Sequence, residues 1–371
     1  MEKTRILLVG GTFDYAGGKP SHLLQKMADT LRMYLPAFTA YNGGFIDELH
    51  NVILRQAEFN DIVIWMPNVP NDAPKMRDIK SINPKVILVS SKRNDNEKYA
   101  FSELINRALQ QKSNLTIEFS KQEDGIFKMM VFDPLGTVYY LGTNIDDMAR
   151  NLAYRAYELT QFTRVQSVRV DGNQSAPDQP EFFAFARGCS DIFHNLINPD
   201  AGVTRFLGNM SFRCQNGFPS YRGEDGLIYV SRRNVDKRYI NAESFVPTYR
   251  GNDGKVYYYG EHKPSVDTPI QQRLYELFPQ MNYMLHAHCY INIPGTVQTQ
   301  HPIPCGALEE VQEIINATMY KGLQDAKLIT VNLVGHGCII MAASMEEINS
   351  IPHDAFFSRP MPEPAVFGEL V

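Results

Sequence analysis

Long apolar runs are missing from this 371-residue chain. None approaches the roughly 20 residues that cross a bilayer as a helix, which excludes a membrane span of that kind. The first ten residues carry no signal-peptide pattern and pass directly into the apolar run Arg5-Ile6-Leu7-Leu8-Val9. Cysteine is scarce: five residues, an odd number, with no C-x-x-C pair. Reduced thiols in a cytoplasmic protein are the expectation. There is no basic excess. A net charge of -5 argues against a nucleic-acid binder that works through a broad basic face. Glycine-rich phosphate signatures are incomplete. Gly10-Gly11-Thr12-Phe13-Asp14 is not G-x-G-x-x-G, and Gly17-Gly18-Lys19-Pro20-Ser21 fails as a P-loop because Phe13 and Pro20 occupy required positions. Internal repeats are absent as well. What remains is an ordinary globular composition, 44% hydrophobic and 21% charged, on a chain too long for one typical core.

Two domains are therefore expected. In residues 1–168, apolar runs alternate with helical patterns. The runs are Arg5-Ile6-Leu7-Leu8-Val9, Asp61-Ile62-Val63-Ile64-Trp65-Met66 and Lys85-Val86-Ile87-Leu88-Val89. Pro20 opens a helix with Leu23, Met27 and Leu31 on one face, residues 75–82 form a short helix, and 144–161 a long one. Residues 115–119 and 127–132 read as a late hairpin. Continuous apolar strands separated by helices imply a doubly wound, Rossmann- or flavodoxin-like parallel sheet. Such sheets bind ligands at the carboxyl ends of their strands. Here those ends offer Gly10, Gly11, Asp14, Asn42-Gly43-Gly44, Asn68, Asn71 and Lys92-Arg93-Asn94. No cofactor is assigned to them. Residues 169–180 are rich in Pro, Asn, Asp and Ser and read as a linker. Residues 181–371 begin with a helix over 181–195 and continue as short strands with turn signals, a mainly antiparallel sheet packed with helices.

The chemistry concentrates in Tyr283-Met284-Leu285-His286-Ala287-His288-Cys289-Tyr290-Ile291. Side chains two apart on a strand share a face, so His286 and His288 project together from a rigid element. Two imidazoles so placed suit a divalent metal such as zinc. His336, flanked by Gly335 and Gly337 at the mouth of an apolar run, is the third candidate ligand. Cys289 and Cys338 stand beside these histidines and read as small buried hydrophobes.

Four blocks in order make this region resemble the class II aldolase/adducin family. They are Gly208-Asn209-Met210-Ser211-Phe212-Arg213, the stretch around Ser231-Arg232-Arg233-Asn234, Lys263-Pro264-Ser265-Val266-Asp267, and His286-Ala287-His288 with the later Gly335-His336-Gly337. The resemblance spans about residues 206–348, under half the chain. It implies an αβα domain with His286, His288 and His336 as metal ligands, zinc first among the metals, and Asp267 as the proton-shuttling group. It also implies a substrate-binding set of Gly208, Asn209, Ser211, Ser231, Arg232, Arg233 and Ser265. Three imidazoles leave an open metal position, the arrangement of a catalytic site.

Departures from the family pattern bear on the reaction. Asp267 replaces a glutamate, which the epimerase branch of the family does also. Asp267 equally suits a helix N-cap before Thr268-Pro269. Val266 replaces a serine, while Arg232 and Arg233 enter a loop that otherwise binds phosphate. Arginine still favours an anion. The expectation is a metal-dependent lyase of the aldolase type acting, through an enediolate, on a small sugar, sugar phosphate or related anionic carbonyl compound. A sugar-phosphate epimerase or dehydratase on the same site is the alternative, and a non-catalytic sensor or scaffold the reading from another class. A homo-oligomer, specifically a tetramer, follows from the resemblance, with residues 356–362 available to cover a partner.

Overall fold

The computed structural model describes residues 4–358 apart from 71–78, 123–124, 163–166, 173, 194–205, 214–225, 304, 320–322 and 324. The chain divides into two compact units, Met1–Gln161 and Phe162–Met361.

The first unit is built on a seven-stranded sheet. Its strands are β1 (Ile6–Asp14), β2 (Phe38–Phe45), β3 (Ile62–Asn68), β4 (Ile87–Arg93), β5 (Leu115–Lys121), β6 (Phe127–Phe132) and β7 (Val138–Gly142). They lie in the order β2-β1-β3-β4-β5-β6-β7. The first five are parallel, and β5-β6-β7 close the sheet as an antiparallel meander. Alternation along β1 explains the layers. Ile6 and Leu8 face helices His22–Tyr34 and Ile145–Phe162, through Leu24, Met27, Leu31 and Leu152. Leu7 and Val9 face Ile46, Leu49 and Ile53 on the other side. A sheet buried on both faces needs the continuous apolar strands seen in the sequence. This is the doubly wound arrangement expected.

The glycine-rich ends of β1 and β2 are spent on packing. A Cβ on Gly18 would sit 1.7 Å from the Thr12 carbonyl oxygen. Thr12 N–H donates to the Lys19 carbonyl, Gly18 N–H to that of Gly44, and Ser21 N–H to Asn42 Oδ1 at 2.7 Å. Asn94 donates to Glu118 Oε1 at 2.5 Å and to the Tyr99 carbonyl. Asn71 and the first half of the helix expected over 75–82 lie outside the described residues; its second half, Ile79–Ile82, is present.

The second unit holds a nine-stranded sheet, ordered β15-β16-β17-β13-β9-β10-β11-β12-β8. The strands are β8 (Ser167–Val170), β9 (Asn209–Arg213), β10 (Ile228–Ser231), β11 (Phe245–Arg250), β12 (Val256–Tyr259), β13 (Tyr283–Ala287), β15 (Val297–Gln298), β16 (Leu328–Leu333) and β17 (Gly337–Ala342). Only the end pairs β15/β16 and β12/β8 are parallel. A small ribbon pairs β14 (Tyr290–Ile291) with β18 (Phe356–Phe357), which gives the start of the 356–362 tail an intrachain role. Helices Thr268–Leu277 and Glu309–Thr318 cover one face through Ile270, Leu274, Val311 and Ile314. Helix Pro180–Gly188 packs the other through Phe182 and Phe183.

Two boundaries differ from those read in the sequence. Ser167–Val170 straddles the expected end of the first domain and start of the linker, yet it pairs with Val256–Tyr259 as the edge strand of the second sheet. Four residues with one charged side chain have no apolar run of their own, and only the waiting edge makes them a strand. The helix expected over 181–195 stops at Gly188, where glycine weakens it and Cys189 N–H closes the end on the Phe185 carbonyl. Residues 194–195 lie outside the described set.

Candidate metal centre

The three histidines arrive from two neighbouring strands. Register sets His286 on β13 beside Asn209 on β9 and Ile339 on β17. His288 follows two residues on, just past the end of β13, on the same face. β17 pairs with β13 at Ala287↔Cys338, so the tight β16–β17 turn that carries His336 comes to rest against His288. Gly337 permits this approach: a Cβ there would lie 2.0 Å from the Ala287 carbonyl oxygen. Ring centroids are 4.8 Å apart for His286–His288, 4.7 Å for His286–His336 and 5.2 Å for His288–His336. One nitrogen from each falls within 4.8 Å of the others. All three are buried, between 2% and 4% exposed.

The rings are prepared for a cation. His286 Nδ1 lies 3.0 Å from the Cys338 carbonyl oxygen, an acceptor only, so Nδ1 carries the proton and Nε2 the lone pair. That Nε2 is buried and has no hydrogen-bond partner among the described residues. Burial first, and the His336 ring second, push His286 down to about 4, so its ring is neutral at pH 7. An orphaned lone pair inside a protein is costly unless something accepts it. A divalent metal does, and the residues fit one.

Asp267 occupies the N-cap position of helix Thr268–Leu277 but makes no side-chain cap bond. Its carboxylate turns inward instead. Oδ2 accepts from Asn209 Nδ2 at 2.5 Å and stands 3.9 Å from His286 Nε2, and Oδ1 accepts from the Cys305 thiol at 3.2 Å. Asn209 is held in turn by Gln271, whose amide donates to its Oδ1. The cap reading thus gives way to a buried carboxylate, 5% exposed, beside the histidines.

The expected substrate-binding residues divide. Arg233 reaches the site: burial lowers its guanidinium, and the Asp267 carboxylate, followed by Cys305, pulls it back up. Its side chain keeps an exposed part. Arg232 does not. It bridges to Pro264 and lines a separate cavity of about 220 Å³ with Tyr259, Glu261 and His262. Adjacent residues at a strand end point to opposite faces. Ser211 and Ser231 have no exposure. Ser211 Oγ pairs with Tyr275 Oη at 3.1 Å, and Ser231 Oγ accepts from Met210 N–H at 3.1 Å. Ser265 Oγ accepts from Asp267 N–H. Gly208 adopts a positive φ of 72° with a Cβ position 2.7 Å from the His286 carbonyl oxygen. These four frame the site rather than face it.

Sequence reading missed two buried charges. Glu310, in the first turn of helix Glu309–Thr318, accepts from His336 Nδ1 at 2.7 Å and is 2% exposed. Burial raises its carboxyl and the His336 contact lowers it. Lys237, 1% exposed, donates to the carbonyls of Leu207 and Gly208 at 2.8 Å each, stapling the chain that leads into β9. Burial takes this lysine down to about 7. Lys237 had no signal beyond a charge in a polar stretch, whereas Glu310 stands at helical spacing between Ala307 and Ile314, which places it on the buried face of its helix.

Residues 194–348 match the family model described as Class II Aldolase and Adducin N-terminal domain. The second domain belongs to the class II aldolase/adducin family. Solved structures similar to the chain include L-fuculose 1-phosphate aldolase, at 14% identity and a TM-score of 0.27, covering 45% of this chain and 82% of that one. An aldolase II superfamily protein from Pseudomonas syringae gives 12% identity and a TM-score of 0.28, covering 45% and 70%. A DNA/pantothenate metabolism flavoprotein from Streptococcus pneumoniae gives 10% identity and a TM-score of 0.35, covering 42% and 99%. No curated protein matches the chain. No helix among the described residues is long and apolar enough to cross a membrane.

Proposed function

We propose that the second domain is a divalent-metal-dependent lyase of the aldolase type, acting on a small sugar, sugar phosphate or related anionic carbonyl compound. The observation that carries this reading is the meeting of three buried imidazoles, one with an orphaned Nε2, beside an inward-turned carboxylate. His286, His288 and His336 would hold the metal, zinc being the best match to three nitrogen ligands. When bound, the metal supplies Lewis acidity to a substrate carbonyl. Asp267 Oδ2 takes a proton from a substrate hydroxyl and returns it later. Asn209 and the Cys305 thiol, each donating to Asp267, fix the direction in which its free lone pairs point. Arg233 draws the anionic end of the substrate to the rim of the site.

An epimerase or dehydratase is the second reading, supported by an aspartate where aldolases of the family carry glutamate. The sensor reading is weakened because all three histidines converge. The proposal includes a homotetramer and a cytoplasmic setting. Elemental analysis of purified protein tests the core of it. About one divalent metal per chain is expected; a chain that carries none, and binds none tightly when loaded, overturns the lyase, epimerase and dehydratase readings together.

A further inference from the structure

His286 and His336 have their outward nitrogens held in different ways. His286 Nδ1 meets a neutral acceptor, the Cys338 carbonyl, at 3.0 Å. His336 Nδ1 meets a carboxylate, Glu310 Oε1, at 2.7 Å. Both members of the second pair are only 2% exposed, so solvent does not compete for the bond. The Glu310 backbone is fixed from two sides. Its side chain leaves the first turn of helix Glu309–Thr318, where the positive end of the helix dipole favours a carboxylate. Its N–H is tied back to the Ala307 carbonyl. The His336 backbone is fixed by its N–H on the Leu333 carbonyl and by the turn between β16 and β17. Neither partner has much room to turn away from the other.

A carboxylate can only accept, so His336 bonded to it places its proton on Nδ1 and its lone pair on Nε2. A charged acceptor also raises the donor strength of the ring toward a cation, more than a carbonyl does. We infer that Glu310 is the positioning residue of the metal site: it sets the His336 tautomer and adds a buried negative charge that strengthens His336 as a ligand. This deepens the metal-dependent reading above and rests on it. It concerns a residue that touches neither substrate nor metal, and it assigns a function to a buried acid that would otherwise be an unexplained cost.

Two variants separate the two contributions. Glu310→Gln keeps an acceptor oxygen and removes the charge; Glu310→Leu removes both. Both are made in the full chain, with circular dichroism confirming the fold. Zinc affinity is measured by competition with a chromogenic chelator. Histidine tautomers in the metal-free protein are read from long-range ¹H–¹⁵N spectra, with His336 identified by its absence in His336→Gln. Loss of such a carboxylate typically weakens metal binding about 10- to 100-fold. Glu310→Gln should fall in that range with the Nδ1–H tautomer kept, and Glu310→Leu should bind more weakly still with the tautomer mixed. Wild-type zinc affinity in Glu310→Gln overturns the charge assignment. A wild-type His336 protonated on Nε2 overturns the positioning role. If Glu310→Leu fails to fold, those two readouts still decide. Wild-type protein that takes up no zinc sinks the lyase reading itself, and the His336 tautomer then tests Glu310 separately.

Discussion

An alanine at Gly337 would put its Cβ 2.0 Å from the Ala287 carbonyl oxygen and 2.7 Å from His288 Cα. Both are backbone atoms, so no side chain can swing aside to make room. Carbon and oxygen in contact stand about 3.3 Å apart at closest. β17 must therefore withdraw from β13 by about 1 Å at this rung. Overpacking of this kind costs about 1–3 kcal/mol, and a clash with backbone belongs at the upper end. In a domain of this size each kcal/mol moves the melting temperature by about 2–4 °C, so Gly337→Ala should melt roughly 6–12 °C lower. The displaced rung is the one that sets His336 against His288, so zinc affinity should fall more steeply than stability. Gly254→Ala is the control. It has a φ of 77° but nothing within 4 Å of the new Cβ, so it bears backbone strain alone, on the order of 1 kcal/mol. Calorimetry and chelator competition on the three proteins measure both effects. A Gly337→Ala protein that melts with the wild type and holds zinc equally would show that the close approach of the two strands does not build the site.

Asp267→Asn should retain the metal and lose nearly all turnover, because an amide cannot take the substrate proton; activity at wild-type level would reduce Asp267 to a structural role. Lys237 is near 7 when folded and about 10.5 when unfolded. Between those values the unfolded chain binds more protons, so stability should rise as pH climbs from 7 to 10.5. Urea titrations across that range should show the slope in wild type and lose it in Lys237→Met; equal slopes would place the shift elsewhere. Light scattering should give a mass near four times 42.2 kDa, and a monomer mass at micromolar concentration would refute the tetramer.

Much of this protein was legible in the sequence because its strongest signals are local. β1, β3 and β4 are buried on both faces, so they read as unbroken apolar runs, and such runs imply a parallel sheet with helices on each side. His286 and His288 share a face because strands alternate, a property of the backbone that needs no tertiary information. His336, Asp267 and Arg233 were found through ordered motifs, and the fold brings all three to the same place. Other features depended on contacts between distant segments. Ser167–Val170 is a strand only because the edge of β12 is free to pair with it. Strand parity sends Arg232 to a different cavity from Arg233, and the sequence pattern placed both in one anion-binding loop. Ser211 and Ser231 carry the right hydroxyls but are buried and bonded within the frame. Glu310 and Lys237 are ordinary charges in the sequence until folding removes them from water and gives each its partner. Local periodicity and motif order determined the fold class and pointed to the histidines that the fold brings together. Burial, which no short stretch of sequence contains, decided which polar groups serve the site and which hold it in shape.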